Sequence, residues 1–171
     1  MSKVILLHLF IWATVFSQID IYVNKTGSEL TANECGKTII VAPKITQEIL
    51  GGNFDSSELK SARFLLSKAV SDKINGSTII EPENLNSITN CESKVIVIKL
   101  ISYHKEPARL GQFRGFITIQ LLFFQTPKSP TPESIQEFSD HGGIHWGDSE
   151  PFFKAVNSVC SKIKLELKNQ K

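Results

Sequence analysis

Apolar and polar positions recur along this chain with two different periods, and each period predicts a different element. Between Asp55 and Gly76, Leu59, Ala62, Leu66, Ala69, Val70 and Ile74 recur at three- and four-residue spacing, leaving Lys60, Arg63, Lys68 and Asp72 for solvent. A helix turning that stripe toward a core is expected there. Asp55 is placed to cap it, Glu58 three residues on completes a capping box, and Phe54 with Leu59 fits a hydrophobic staple. Asn75-Gly76 is expected to end it, because glycine enters the left-handed conformation without a Cβ penalty. A second stripe of Phe152, Val156, Val159, Cys160, Ile163 and Leu167 predicts a final helix from about Glu150. Asp148 or Ser149 would cap it, and Pro151 falls in the first turn, where a missing N–H is harmless.

The other period is that of strands. Thr38-Ile39-Ile40-Val41-Ala42 is β-branched without alternation, the pattern of a strand buried on both faces, and Pro43 closes it. A short helical turn is expected over Ile45 to Leu50, ended by Gly51-Gly52. Thr78 to Glu81 reads as a second strand ended by Pro82, with a short helical segment over Glu83 to Thr89. Lys94–Tyr103 and Phe113–Phe124 are longer Val-, Ile- and Phe-rich runs joined by a loop over Lys105–Gly111, and form an antiparallel hairpin. Gly115 inside the second arm marks a bulge or a close approach of backbone. After the proline-rich connection Gln125–Pro132, Ile135 to Ser139 returns as a strand. Asp140 to Gly147 is expected to be a glycine-rich turn before the last helix, with Trp146 plugging the core. The fold class is therefore α/β (α+β): a single mixed sheet of four to five strands including a long antiparallel hairpin, packed by two amphipathic helices.

The first residues follow neither period. A lone Lys3 precedes an apolar run from Val4 to Phe16 broken only by His8 and Thr14, with Val15 and Ser17 where a signal peptidase accepts small or apolar residues. That run is too short to span a hydrocarbon core of about 30 Å comfortably. Residues 1–17 are thus expected to be a signal peptide, 18–37 an irregular leader and 38–171 a single domain. A membrane anchor retained by failed cleavage, and a buried first strand or helix, are the alternatives. Exported in this way, the protein would be periplasmic or associated with the outer membrane, with no integral membrane span after cleavage.

Composition changes this picture little. Of 171 residues, 19 are basic and 17 acidic, a formal net charge of +2. The overall field is weak and the basic residues are dispersed, with a local excess only at Lys162, Lys164, Lys168 and Lys171, so neither nucleic acid nor an anionic membrane is expected as a partner on electrostatic grounds. Three cysteines are present, and an oxidising compartment permits one bridge. Cys160 lies on a helical stripe, where a buried thiol acts as a small hydrophobe, leaving Cys35 with Cys91 as the disulfide candidate.

No catalytic set is evident. His141 and His145, with Asp140 and Asp148 beside them, are the weak candidates for a metal site, and His104 or Glu106 would have to supply a third ligand. If the segment is extended, the spacing of the two histidines puts both rings on one side. There is no Gly-x-Ser-x-Gly elbow, and Gly51-Gly52 lacks the lysine of a phosphate-binding loop. No catalytic residue and no cofactor is implied. Arg109, Phe113 and Arg114 flank the hairpin loop and are the candidate interaction residues, since a rigid scaffold can present such a loop to a partner.

The order strand, helix, four strands, helix resembles the small domain of bacterial envelope proteins of the curli secretion factor (CsgG) and penicillin-binding-protein activator (LpoB) type, including uncharacterised periplasmic relatives. The points of likeness are Ile39-Ile40-Val41-Ala42-Pro43, Ile79-Ile80-Glu81 with Asn84-Leu85, the hairpin Val95–Tyr103 and Gly115–Phe124, and Gly147 before a terminal amphipathic helix. The chain departs from that group in having Gln125-Thr126-Pro127 where an acidic residue and a Thr-Gly turn are common, and in lacking a cysteine placed for lipid attachment. The resemblance implies a non-catalytic exported domain whose partner is another envelope protein. A secreted metal-dependent hydrolase centred on His141 and His145, and a small-molecule-binding periplasmic domain, are the alternative functions.

Overall fold

The computed structural model describes residues 36–84, 92–147 and 149–167. Its elements are β1 (Thr38–Val41), α1 (Gln47–Leu50), α2 (Ser56–Ser71), β2 (Ser77–Ile80), β3 (Val95–Arg109), β4 (Gln112–Phe124), β5 (Ser134–Trp146) and α3 (Ser149–Glu166). The strands form one mixed sheet in the order β2-β1-β3-β4-β5. β1 runs parallel to both β2 and β3, and the β3–β4 and β4–β5 pairs are antiparallel. The expected α+β class, with one mixed sheet and a long hairpin, is the observed one.

α2 begins as its sequence specifies. The Asp55 carboxylate accepts from the N–H groups of Ser57 and Glu58, and the Glu58 carboxylate accepts from the Asp55 N–H. Two otherwise orphaned donors of the first turn and the cap N–H are thereby satisfied. The stripe buries Ala62, Leu66, Ala69 and Val70 completely. The helix ends earlier than expected, at Ser71 rather than at Asn75. Its exit tightens into bonds from the Lys73 and Ile74 N–H groups to the Val70 and Ser71 carbonyls, and Gly76 at φ +68° then carries the chain into β2. Ile74 still packs on the core from this turn.

α3 supplies Phe152, Ala155, Val156, Val159 and Ile163, all fully buried, to the same layer. From the sheet come Ile40, Ile96, Ile98, Leu100, Ile117, Ile119, Leu121 and Phe138. Phe54, Tyr103 and Phe152 meet edge to face, with centroids 6.4, 5.1 and 5.0 Å apart, and fix the corner where the entry to α2, β3 and α3 converge. Asp72 joins the two long helices, taking the ammonium groups of Lys68 and Lys164 at 3.1 and 3.2 Å.

A second cluster, Ile39, Val41, Ile80 and Val95, is buried on the opposite face at the parallel end of the sheet. Successive strand residues point to opposite faces, so Ile40 serves one cluster while its neighbours serve the other. That is why β1 lacks alternation.

Two sequence expectations about strand extent are corrected. The loop placed over Lys105–Gly111 is strand as far as Arg109, leaving only Leu110-Gly111 as the turn. Pro107 pairs with Phe113 just before a register shift, on a stretch of β3 whose other edge pairs with no strand among the described residues, where a missing N–H is tolerated. The glycine-rich turn expected over Asp140–Gly147 is instead the second half of β5, which runs unbroken to Trp146. Gly142 and Gly143 form a bulge there, the register passing from Arg114↔Ile144 to Phe116↔His141.

The glycines in this region are needed for close packing. A Cβ on Gly115 would lie 2.5 Å from the Pro151 carbonyl oxygen, and one on Gly142 would lie 2.7 Å from Lys154 Cβ and 2.8 Å from the Ala155 nitrogen. Only glycine at both places lets the first turns of α3 rest on the sheet. Gly115 thus fulfils the expected close approach of backbone.

Candidate functional site

All three helices pack on one face of the sheet, and the sequence alternation carries the other face of β3, β4 and β5 into the open. Register places His104, Phe116 and His141 in one cross-strand row, and Glu106, Arg114 and Ile144 in the next toward the hairpin turn. Ser102, Thr118 and Ser139 form the row behind, followed by Lys99, Gln120 and Glu137. Thr118 and Ser139 share a hydroxyl hydrogen bond of 3.0 Å, and the Gln120 amide donates to the Glu137 carboxylate at 2.8 Å. These pairs hold β5 to β4 without help from a helix on this side.

Apolar side chains interrupt the polar rows. Ile101, Ile135, Ile144 and Trp146 are all exposed, and Phe116 and Leu122 are half-buried among them. The His104 ring stacks on Phe116 at 5.0 Å and 5°, and His141 leans on the same ring from the other side at 5.5 Å. The His104 imidazole also lies 3.6 Å from the Glu106 carboxylate.

The metal candidates do not converge. The bulge at Gly142-Gly143 reverses the expected same-side placement: His141 pairs with Phe116 on the open face, whereas His145 pairs with Phe113 on the helix side. There its Nδ1 meets the Glu150 carboxylate of α3 at 3.0 Å. Asp140 also turns to the helices, accepting from the Ser158 hydroxyl at 2.8 Å and from the His141 N–H at 2.8 Å. Partial burial pushes its carboxyl up, but these donors, with His141 and Lys162 nearby, outweigh that and hold it below the usual carboxylate range. Asp148 lies outside the described residues. Among the described residues no group of three or more His, Cys, Asp or Glu side chains is arranged to hold a metal ion.

Of the cysteines, Cys35 and Cys91 also lie outside the described residues, so their pairing does too. Cys160 is buried in α3, its Sγ 3.6 Å from the Leu65 carbonyl oxygen, and burial pushes the thiol up to about 12. It is a packing residue, as its stripe position indicates.

The hairpin tip holds the candidate interaction residues. Arg109 is exposed beside the turn, and Phe113 is half-buried under the Lys105 ammonium, which sits 5.2 Å from the ring centroid. Arg114 is half-buried with its Nε lacking a hydrogen-bond partner among the described residues. Sequence reasoning missed two members of this tip. Leu110 is 94% exposed at the turn, and Trp146, expected in the core, is 61% exposed. Register explains the tryptophan: Trp146 pairs with Gln112, so its ring reaches the hairpin turn, where a Cβ on Gly111 would come within 2.7 Å of it. Continuing β5 through the two glycines was the signal that would have revealed this.

β5 is an edge strand, and its unpaired side is guarded. Lys162 Nζ donates to the Ser139 carbonyl at 3.1 Å, and the Asp140 carboxylate takes the His141 N–H. Side chains thus occupy backbone groups that a further strand would need.

No family model matches the chain, and no curated protein matches it. Solved structures with a similar arrangement include a point variant of the PelC dodecamer from Paraburkholderia phytofirmans, at 15% identity, covering 82% of this chain and 92% of that one with a TM-score of 0.42. Protein XCC0632 from Xanthomonas campestris, of the DUF330 family, is similar at 5% identity over 77% of this chain and 81% of its own, with a TM-score of 0.45. Lipoprotein GNA1162 from Neisseria meningitidis is similar at 11% identity over 78% of this chain and 99% of its own, with a TM-score of 0.40.

Proposed function

We propose that this chain is an exported, non-enzymatic protein of the bacterial cell envelope that acts through protein–protein contacts, as an accessory to an envelope assembly. The observation that carries the reading is the open sheet face. Ile101, Ile135, Ile144 and Trp146 are exposed on or beside a three-stranded scaffold whose opposite face packs against the helices behind the hairpin tip. Exposed apolar groups spaced among polar rows along one uncovered sheet face suit a partner. The apolar run from Val4 to Phe16 supports export, and the likeness of the element order to the CsgG and LpoB type supports the role. Among the described residues no helix is long and apolar enough to cross a membrane.

Photo-crosslinking in intact cells tests the reading. A benzophenone side chain in place of Ile101 or Ile144 is expected to give a discrete protein adduct in the envelope fraction, whereas one in place of exposed Lys60 on α2 gives none. Adducts absent from the open-face positions, or the protein found only in the cytosol, would sink it.

A further inference from the structure

We infer that the β3–β4 hairpin tip, together with Trp146, seats on an anionic phospholipid surface. The inference rests on the reading that the protein works in the envelope, and it assigns one occupant to one part of the exposed surface. Gly115 lies under Pro151 in the first turn of α3, and β4 continues from there to the turn at Gly111. Four residues at ~3.3 Å each carry the tip roughly 13 Å past that contact. At the apex Leu110 is 94% exposed, and the 61%-exposed indole of Trp146 lies over Gly111 just behind it.

The hairpin carries a local basic excess, offset in part by Glu150 of α3, which meets His145 opposite Phe113. From His104 to Phe116 the basic residues are Lys105, Arg109 and Arg114, and the acidic one is Glu106. Arg109 is exposed and forms no ion pair among the described residues, and half-buried Arg114 stands opposite Glu106 with its buried Nε lacking a hydrogen-bond partner among them. From the apex inward the order is therefore Leu110, then Trp146 and Arg109 in one row on either side of Gln112, then Arg114. A bilayer surface presents the matching order: acyl boundary, interfacial belt favoured by tryptophan, then anionic phosphates. A narrow convex apex contacts little of a rigid protein partner but enters a fluid headgroup layer, which favours lipid over an acidic protein surface.

The chain's two tryptophans are Trp12 and Trp146, so a full-length Trp12→Phe variant makes Trp146 the sole indole reporter. On vesicles of phosphatidylcholine with a third phosphatidylglycerol, its emission is expected to shift to the blue and to be quenched by brominated acyl chains. Arg109→Gln in that background should weaken the response about fivefold, the equivalent of one basic side chain at the surface. Leu110→Ser should remove most of the quenching while thermal unfolding stays unchanged, since that side chain touches almost nothing. The apolar leader is common to every variant, so leader-driven vesicle binding leaves these differences intact. Unaltered Trp146 emission on vesicles overturns the inference, as does an equal response on phosphatidylcholine alone or a response to polyglutamate but not to vesicles. Crosslinking from Ile101 is unaffected by any of these results, so failure here is distinguishable from failure of the protein-docking role.

Discussion

Replacing Gly142 by alanine tests whether a single missing Cβ sets the distance between α3 and the sheet. The new methyl would lie 2.7 Å from Lys154 Cβ and 2.8 Å from the Ala155 nitrogen, where ordinary contact begins at 3.4 Å. Both opposing atoms belong to the helix backbone or its first side-chain atom, so no rotamer change relieves them. The helix must lift by about 0.7 Å, loosening the packing of Ala155 and Val156, which are fully buried. Overpacking of this kind costs about 1–3 kcal/mol. Alanine recovers ~0.5–1 kcal/mol of the entropy that a strand glycine loses on folding. The net expectation is a loss centred on ~1 kcal/mol, read as a Tm lower by roughly 2–4 °C for a domain of this size. Gly143 provides the control, since a Cβ there meets only the far end of the His145 ring, at 3.2 Å. Urea unfolding followed by circular dichroism should place Gly143→Ala within about 1 kcal/mol of the parent, in the range of surface substitutions. Equal stability for Gly142→Ala and the parent, or a larger loss for Gly143→Ala, would refute the close-packing argument.

Three further outcomes follow from the same packing. Phe54→Ala removes the ring that meets both Tyr103 and Phe152, and guanidinium unfolding should show a loss of about 3–5 kcal/mol. Cys160, its thiol pushed up to about 12 by burial, should resist iodoacetamide at pH 8 in the folded protein and react once urea unfolds it, as peptide mass mapping can follow. Asp140 is held below its ordinary 3.8, so its contribution to stability is present above that pH and is lost as pH falls through the lower folded value. Acid unfolding of Asp140→Asn should accordingly show a shallower dependence on pH below 3.8 than the parent.

Local chemistry was enough to specify the start of α2, the stripes of both long helices, the doubly buried β1 and the existence of the hairpin. Each rests on interactions among residues a few positions apart, or on a period that burial imposes directly: Asp55 with Glu58 needs no distant partner. The ends of elements were less legible because distant pairing decided them. Arg109 is strand because Gln112 lies opposite it, and Pro107 is tolerated where the other edge of β3 pairs with no strand among the described residues. Gly142-Gly143 has the composition of a turn, yet pairing with β4 and the pressure of α3 make it a bulge in a continuous strand. That bulge is a one-residue offset in a structure whose side-chain period is two, so it sends His141 to the open face and His145 to the helices. The same pairing delivers Trp146 to the hairpin turn instead of the core. The sequence alone therefore determined which segments bury apolar surface and with what period. The tertiary structure decided which face each residue of β5 occupies, because that depends on a register set by atoms on β4 and α3.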